Sequence, residues 1–125
     1  MKIGEVAKHA GVTVDTVRFY ERVGILPEPD RRPSGYRIYE PATVDRIKLT
    51  RQLQAIGFSL PDVVDALAAH DTGGATCESE RWRLHAVLER VDGKLAELTA
   101  LRQRILDTQH ACEDGHCVLR YTAPR

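Results

Sequence analysis

ESERWRLHAVLERVDGKLAELTALRQRILDTQ, residues 78–109, carries Leu84, Leu88, Val91, Leu95, Leu98, Arg102 (with Leu101 beside it) and Ile105 at alternating steps of four and three. That is a heptad seam, and a seam of this length predicts a helix that pairs with another helix. At ~1.5 Å per residue the stretch would run roughly 48 Å, too long to build a core of its own in so short a chain. The expected partner is a second copy, which makes the protein a homodimer. The alternative is a helix packed inside one chain, but little sequence is left over to cover the seam. Gly93 weakens the pattern, since a glycine in mid-helix costs about 1 kcal/mol relative to Ala. Cysteines bracket the stretch: Cys77 lies just before it, Cys112 and Cys117 just after.

The 125 residues suffice for one small domain plus a dimerisation arm. Net charge is zero overall but unevenly spread. Residues 1–58 hold ten Lys/Arg against seven Asp/Glu, and residues 59–125 hold eight against eleven. A basic first half suggests a nucleic-acid module, although an imbalance this small carries little by itself. No apolar run approaches the ~20 residues of a membrane span, and no signal peptide is recognised at Met1-Lys2-Ile3-Gly4. The chain is therefore expected to be cytoplasmic, without a membrane partner. Three cysteines in a reducing compartment point to ligands, redox sensors or buried filler rather than to a structural disulfide framework.

Working outward to the N-terminus, Ile3, Val6, Ala7 and Ala10 have helical spacing, and Gly11 is placed to end that helix with positive φ. Thr13 stands where an N-cap is wanted, and a second helix follows through Val14, Val17 and Phe19 to about Arg22. Ala7, Gly11 and Val17 have the spacing of a helix-turn-helix: close approach, sharp turn, buried contact. A plain helical hairpin would look similar. The run 27–35, rich in Pro, Asp and Gly, excludes a helix, and Tyr36-Arg37-Ile38-Tyr39 reads as a short strand. A basic, turn-rich loop closed by a strand looks like a wing, and wings lay Arg and Tyr along phosphates.

Pro41 suits the first position of a third helix, with Val44, Ile47, Leu49, Leu53 and Ile56 as its apolar face and Gly57 as its stop. Ser59-Leu60-Pro61-Asp62 reads as a capping box opening a fourth helix, which runs to about His70. Residues 71–76 form a loop before the long helix. Beyond that helix, residues 111–117 read as a tight loop and 118–121 as one last turn.

The segments Ile3-Gly4-Glu5-Val6-Ala7, Gly11-Val12, Thr16-Val17-Arg18-Phe19-Tyr20-Glu21, Gly24-Ile25-Leu26, Gly35-Tyr36-Arg37-Ile38-Tyr39 and Ile56-Gly57-Phe58-Ser59-Leu60 resemble the mercury-resistance-regulator (MerR) family of bacterial transcription factors. The match covers about the first seventy residues, and the order of long helix and flanking cysteines extends it over nearly the whole chain. The resemblance implies a mostly α fold. A winged helix-turn-helix DNA-binding domain over residues 1–70 would be followed, over 71–125, by a long antiparallel coiled-coil dimerisation helix with flanking metal-binding loops. It implies a homodimer on near-palindromic double-stranded promoter DNA, with Thr16, Arg18 and Tyr20 as recognition-helix contacts and Arg31, Tyr36 and Arg37 as wing contacts. Arg suits the role through its planar fork and Tyr through a hydroxyl on a stiff ring. Packing under the wing is the competing role for Tyr36 and Tyr39, and the favoured one for Tyr39; a solvated charge is the competing role for Arg37. Relatives of this kind are expected to activate transcription by bending and untwisting an overlong promoter spacer so that RNA polymerase engages both of its elements.

Some members of that family carry a large C-terminal domain for organic drugs, and a chain ending at Arg125 is expected to leave no room for one. A small effector remains, with the cysteines as its ligands. Cys77 and Cys112 stand at opposite ends of the long helix, so one chain cannot bring them to one ion. An antiparallel dimer would, placing Cys77 of one subunit beside Cys112 and Cys117 of the other, twice. Three thiolates favour a soft or borderline divalent ion: mercury, lead or cadmium, or zinc with a fourth ligand, for which His116 is the candidate. Copper(I)-type members are expected to have Ser at the position of Cys77. Two departures leave the metal open: only four residues separate Cys112 from Cys117, and no adjacent Cys-Cys pair of the zinc type is present.

A thiol-based redox-responsive DNA-binding regulator is the alternative, since Cys112 and Cys117 are close enough in sequence to form a disulfide. An enzyme is not expected, because the five His include no obvious general base for a Cys and helical arms leave little room for a closed pocket.

Overall fold

A computed structural model of the chain describes residues 1–116. Cys117 and the turn expected over 118–121 lie outside the described residues. The architecture is mostly α, as expected: α1 (Ile3–Ala10), α2 (Val14–Arg22), a hairpin of β1 (Asp30–Arg31) and β2 (Arg37–Ile38), then α3 (Ala42–Ala55), α4 (Leu60–Asp71) and α5 (Cys77–Glu113). Two compact units divide it, Met1–Arg83 and a second that begins at Leu84, so the first extends past residue 70 into the root of α5. Among the described residues no helix is long and apolar enough to cross a membrane.

The helix-turn-helix forms where its sequence signals lie. Gly11 takes φ 71°, a left-handed conformation costly for residues with a Cβ, and this turns the chain out of α1. Thr13 caps α2, its Oγ1 accepting from the Thr16 N–H at 3.1 Å. Val17 is fully buried, with Val6, Ala7 and Ala10 on the facing helix, so both helices meet on small or branched residues. Arg51 of α3 donates to the Gly11 carbonyl at 2.9 Å and ties the turn to the third helix.

The loop expected over 27–35 contains a strand. β1 pairs antiparallel with β2, Asp30 opposite Ile38 and Arg31 opposite Arg37. Two charged residues alone carry no strand pattern, so this strand exists through its partner. Pro41 takes the N-cap position of α3 rather than the first helical one. The face of α3 also differs from the expected set. Thr43, Val44, Ile47 and Thr50 are buried, whereas Leu49 and Ile56 are exposed. Thr50 fits because its hydroxyl donates to the Arg46 carbonyl at 2.8 Å and leaves only a methyl to pack. Gly57, at φ 101°, stops the helix region, and Ser59 and Asp62 form the expected capping box on α4.

Two arginines brace this unit. Arg46 of α3 holds both carboxylate oxygens of Asp71, at 2.8 and 2.9 Å, and so fastens the end of α4. Arg83, on the first turns of α5, bonds Asp65 of α4 and Glu80, and its guanidinium stacks on Trp82 at 4.4 Å.

α5 is longer than the seam alone suggests. It starts one residue earlier and ends at Glu113, so Cys77 is its first residue and Cys112 lies in its last turn rather than in a loop. Thr76 and Ser79 cap its start reciprocally, each side-chain oxygen accepting the other's backbone N–H, at 3.0 and 2.9 Å. Gly93 does not interrupt the helix. The 37 residues correspond to about 55 Å. Leu84, Leu88, Val91, Leu95, Leu98, Leu101 and Ile105 are each between 43% and 62% exposed, so the seam has no partner among the described residues.

Candidate nucleic-acid interface and thiol positions

The six residues expected to meet DNA fall into two groups. Arg18 on α2, and Tyr36 and Arg37 on the wing, line one open groove. Tyr36 is 69% exposed at the hairpin turn. Arg18 is exposed and, among the described residues, holds only a long contact to Asp15 at 3.9 Å. Arg31 is also exposed, on β1 opposite Arg37. Thr16 is half-buried, its hydroxyl 2.9 Å from that of Thr13, so it serves the cap of α2. Tyr20 turns inward instead. It is 5% exposed, and its hydroxyl donates to Gln54 Oε1 at 3.1 Å, binding α2 to α3. In this conformation it offers packing rather than a free hydroxyl; helical periodicity sets it three residues from Val17, on the same buried face.

Tyr39 packs under the wing, as favoured, at 3% exposure. Its hydroxyl donates to Glu21, while Arg37 Nη1 donates to the other oxygen of that carboxylate at 2.9 Å. Burial, and then the bond to Glu21, push the Tyr39 phenol up from its ordinary value. The Tyr39 hydroxyl and the Glu21 charge in turn hold Arg37 more firmly in its charged form. One carboxylate thus positions a wing arginine from the second helix.

Sequence reasoning missed two lysines. Lys2, at the N-cap of α1, and Lys8, in its last turn, line the same groove as Arg18, Tyr36 and Arg37. No local signal joins residues 2 and 8 to residue 36; the packing of the first helix beside the wing does so.

The two described thiols stand at opposite ends of α5. Cys77 is exposed at one end of α5 and Cys112 half-buried at the other. Among the described residues, no group of three His, Cys, Asp or Glu stands close enough to hold a metal ion. His116 is exposed, its Nδ1 3.0 Å from the Asp114 carbonyl oxygen. One relationship emerges only because α5 is unbroken from Cys77 through Cys112. Cys77, Leu84, Val91, Leu98, Ile105 and Cys112 follow one another at steps of seven, so both thiols belong to the seam. Cys112 indeed shares a shallow groove with Leu101, Ile105 and Thr108. A straight helix would rotate such a stripe by ~20° per heptad, so the six positions stay in line only on a supercoiled pair.

Known proteins resemble the chain over most of its length. The family model described as MerR HTH family regulatory protein matches residues 1–70, and that described as MerR, DNA binding matches residues 44–108. The chain is similar to the mercuric resistance operon regulatory protein of Bacillus cereus, 33% identical over 114 residues that cover 91% of this chain and 86% of that one. It also resembles the transcription regulator PbrR691 from Ralstonia metallidurans CH34 solved in complex with lead(II), with a TM-score of 0.81 and 32% identity over 89% of this chain and 87% of that one. The dual-function transcriptional regulator MerR from Bacillus megaterium MB1, solved with mercury(II), gives a TM-score of 0.65 and 31% identity over 88% and 85% of the two chains.

Proposed function

The chain belongs to the MerR family of helix-turn-helix regulatory proteins, and we propose that within it the chain is a metal-responsive transcriptional regulator. It binds promoter DNA as a homodimer and activates transcription when a thiophilic divalent ion (mercury, lead, cadmium or zinc) occupies sites shared between the two copies. The observation that carries this reading is the run of α5. An uncovered apolar seam calls for a second copy, and the two described thiols close that seam at its ends, about 52 Å apart along the helix. Antiparallel pairing joins Cys77 of one copy to Cys112 and Cys117 of the other, and the soft donor set fits a soft ion. His116, one residue from Cys117, is available as a fourth ligand for zinc.

Arg18, Arg31, Tyr36 and Arg37 contact the DNA, with Thr16 and Tyr20 setting the second helix that presents Arg18. The domain over residues 1–70 binds, and residues 71–125 join the copies and hold the ion. The ion shifts the dimer toward the shape that bends and untwists the promoter spacer for RNA polymerase, and only as far as its affinity for the two shapes differs.

A mixed dimer tests the shared site. One subunit carries Cys77→Ser and the other carries Cys112→Ser with Cys117→Ser, and metal binding is read from thiolate-to-metal absorbance. Under the shared-site reading one site keeps three thiols and the other none, so the mixed dimer binds one ion tightly. If both sites are built within single chains, neither is complete and tight binding disappears. A response to oxidant that survives Cys77→Ser would point instead to a local switch between Cys112 and Cys117.

A further inference from the structure

The groove between α1 and the wing contains more positive charge than the expected contact set accounts for. Its walls carry Lys2 and Lys8 from α1, Arg18 from α2, and Arg37 from β2, against a single lining carboxylate, Glu5. Lys2 and Lys8 are exposed, and neither is engaged in an ion pair among the described residues. The two walls are also held to one another. The Met1 ammonium donates to the Tyr39 carbonyl at 2.9 Å and the Tyr39 N–H donates to the Met1 carbonyl at 2.8 Å, so the start of α1 is laced to the end of the wing strand. Between the walls, a Cβ added at Gly4 would meet nothing within 4 Å, so the floor is open there.

We propose that this groove seats backbone phosphate of duplex DNA, with Lys2 and Lys8 closing on it from α1 while Tyr36 and Arg37 close from the wing. The assignment rests on the DNA-binding reading and extends it to a helix outside the expected contact set. Lysines supply compact charges that do not read bases, which suits a contact that sets register and affinity rather than sequence. Because the groove is continuous with Arg18, a phosphate seated there lies beside the segment presented by the second helix.

The test measures binding of the whole protein to a mixed-sequence duplex by fluorescence anisotropy across a salt series. Each phosphate contact contributes a slope of about 0.9 in log affinity against log salt. Lys2→Ala and Lys8→Ala together should lower the slope by about 0.9 per copy, the worth of the one phosphate they share, or about 1.8 in a homodimer. Gly4→Glu adds a Cβ that meets nothing within 4 Å and brings a carboxylate to the groove; it should weaken binding several-fold with an unchanged circular dichroism spectrum. If the double lysine variant keeps the slope of the unaltered protein while Arg18→Ala weakens binding, the DNA reading stands and the α1 phosphate seat is wrong. If the unaltered protein shows no salt-dependent DNA binding, both fall together.

Discussion

Arg37 Nη1 lies 2.9 Å from Glu21 Oε2, and this bond joins the wing to the second helix of the helix-turn-helix. The Glu21 side chain is only 12% exposed and also accepts the Tyr39 hydroxyl. The wing is therefore oriented by a residue of the helix beside it rather than by its own two-residue strands.

Glu21→Ala leaves the buried Tyr39 hydroxyl without its acceptor, at a cost of roughly 1–2 kcal/mol of stability. It also frees Arg37 to swing, so DNA affinity should fall. Glu21→Gln keeps an acceptor for Tyr39 and should cost less on both counts. Urea denaturation and anisotropy with a duplex check the pair; equal stability of Glu21→Ala and the unaltered protein would remove the bridge from the account.

The uncovered seam sets the second expectation. Burying the exposed half of a leucine is worth on the order of 1 kcal/mol, and seven apolar seam residues contribute in each copy. Leu88→Asp with Leu95→Asp should give monomers whose operator affinity collapses, since each monomer holds one half of the interface. Light scattering at micromolar concentration reads this directly. A monomeric unaltered protein would contradict the role given to α5.

The Arg46–Asp71 pair gives a pH dependence. Its hydrogen bonds hold the Asp71 carboxyl below its ordinary value of 3.8. A folded value depressed below the unfolded one stabilises above the unfolded value, and that stability is lost as pH falls through the folded one. With Asp71 about half exposed, the contribution is about 0.5–1 kcal/mol. Asp71→Asn should be less stable by that amount at pH 7, and the difference should narrow as pH drops below 3.8. Thermal midpoints of both proteins across pH 2.5–7, at one ionic strength, measure it; a gap that stays constant would show that the charge is not what Asp71 contributes.

The helix starts and stops were legible in the sequence because they are local events. Gly11, Thr13, Ser59 with Asp62, and the seam from Leu84 to Ile105 each act on a neighbour three or four residues away or on their own backbone, so spacing is enough to read them. The segments from Ile3 to Leu60 that resemble the family carried its identity as well, and that family is the one to which the chain belongs. The ends of α5 were less legible: no large apolar residue marks 110–113, and helix continuity carries the seven-residue series on to Cys112.

Tertiary structure alone decided which side of each element does what. Tyr20 turns to Gln54 and Thr50 replaces Leu49 in the core, because the orientation of α3 against α1 and α4 sets which side is dry. β1 pairs only because β2 lies beside it, and Lys2 and Lys8 join Arg18 and Tyr36 only because α1 packs next to the wing. Such meetings depend on residues dozens of positions apart. A sequence encodes them through the summed packing of the whole unit, which leaves no mark at any single position.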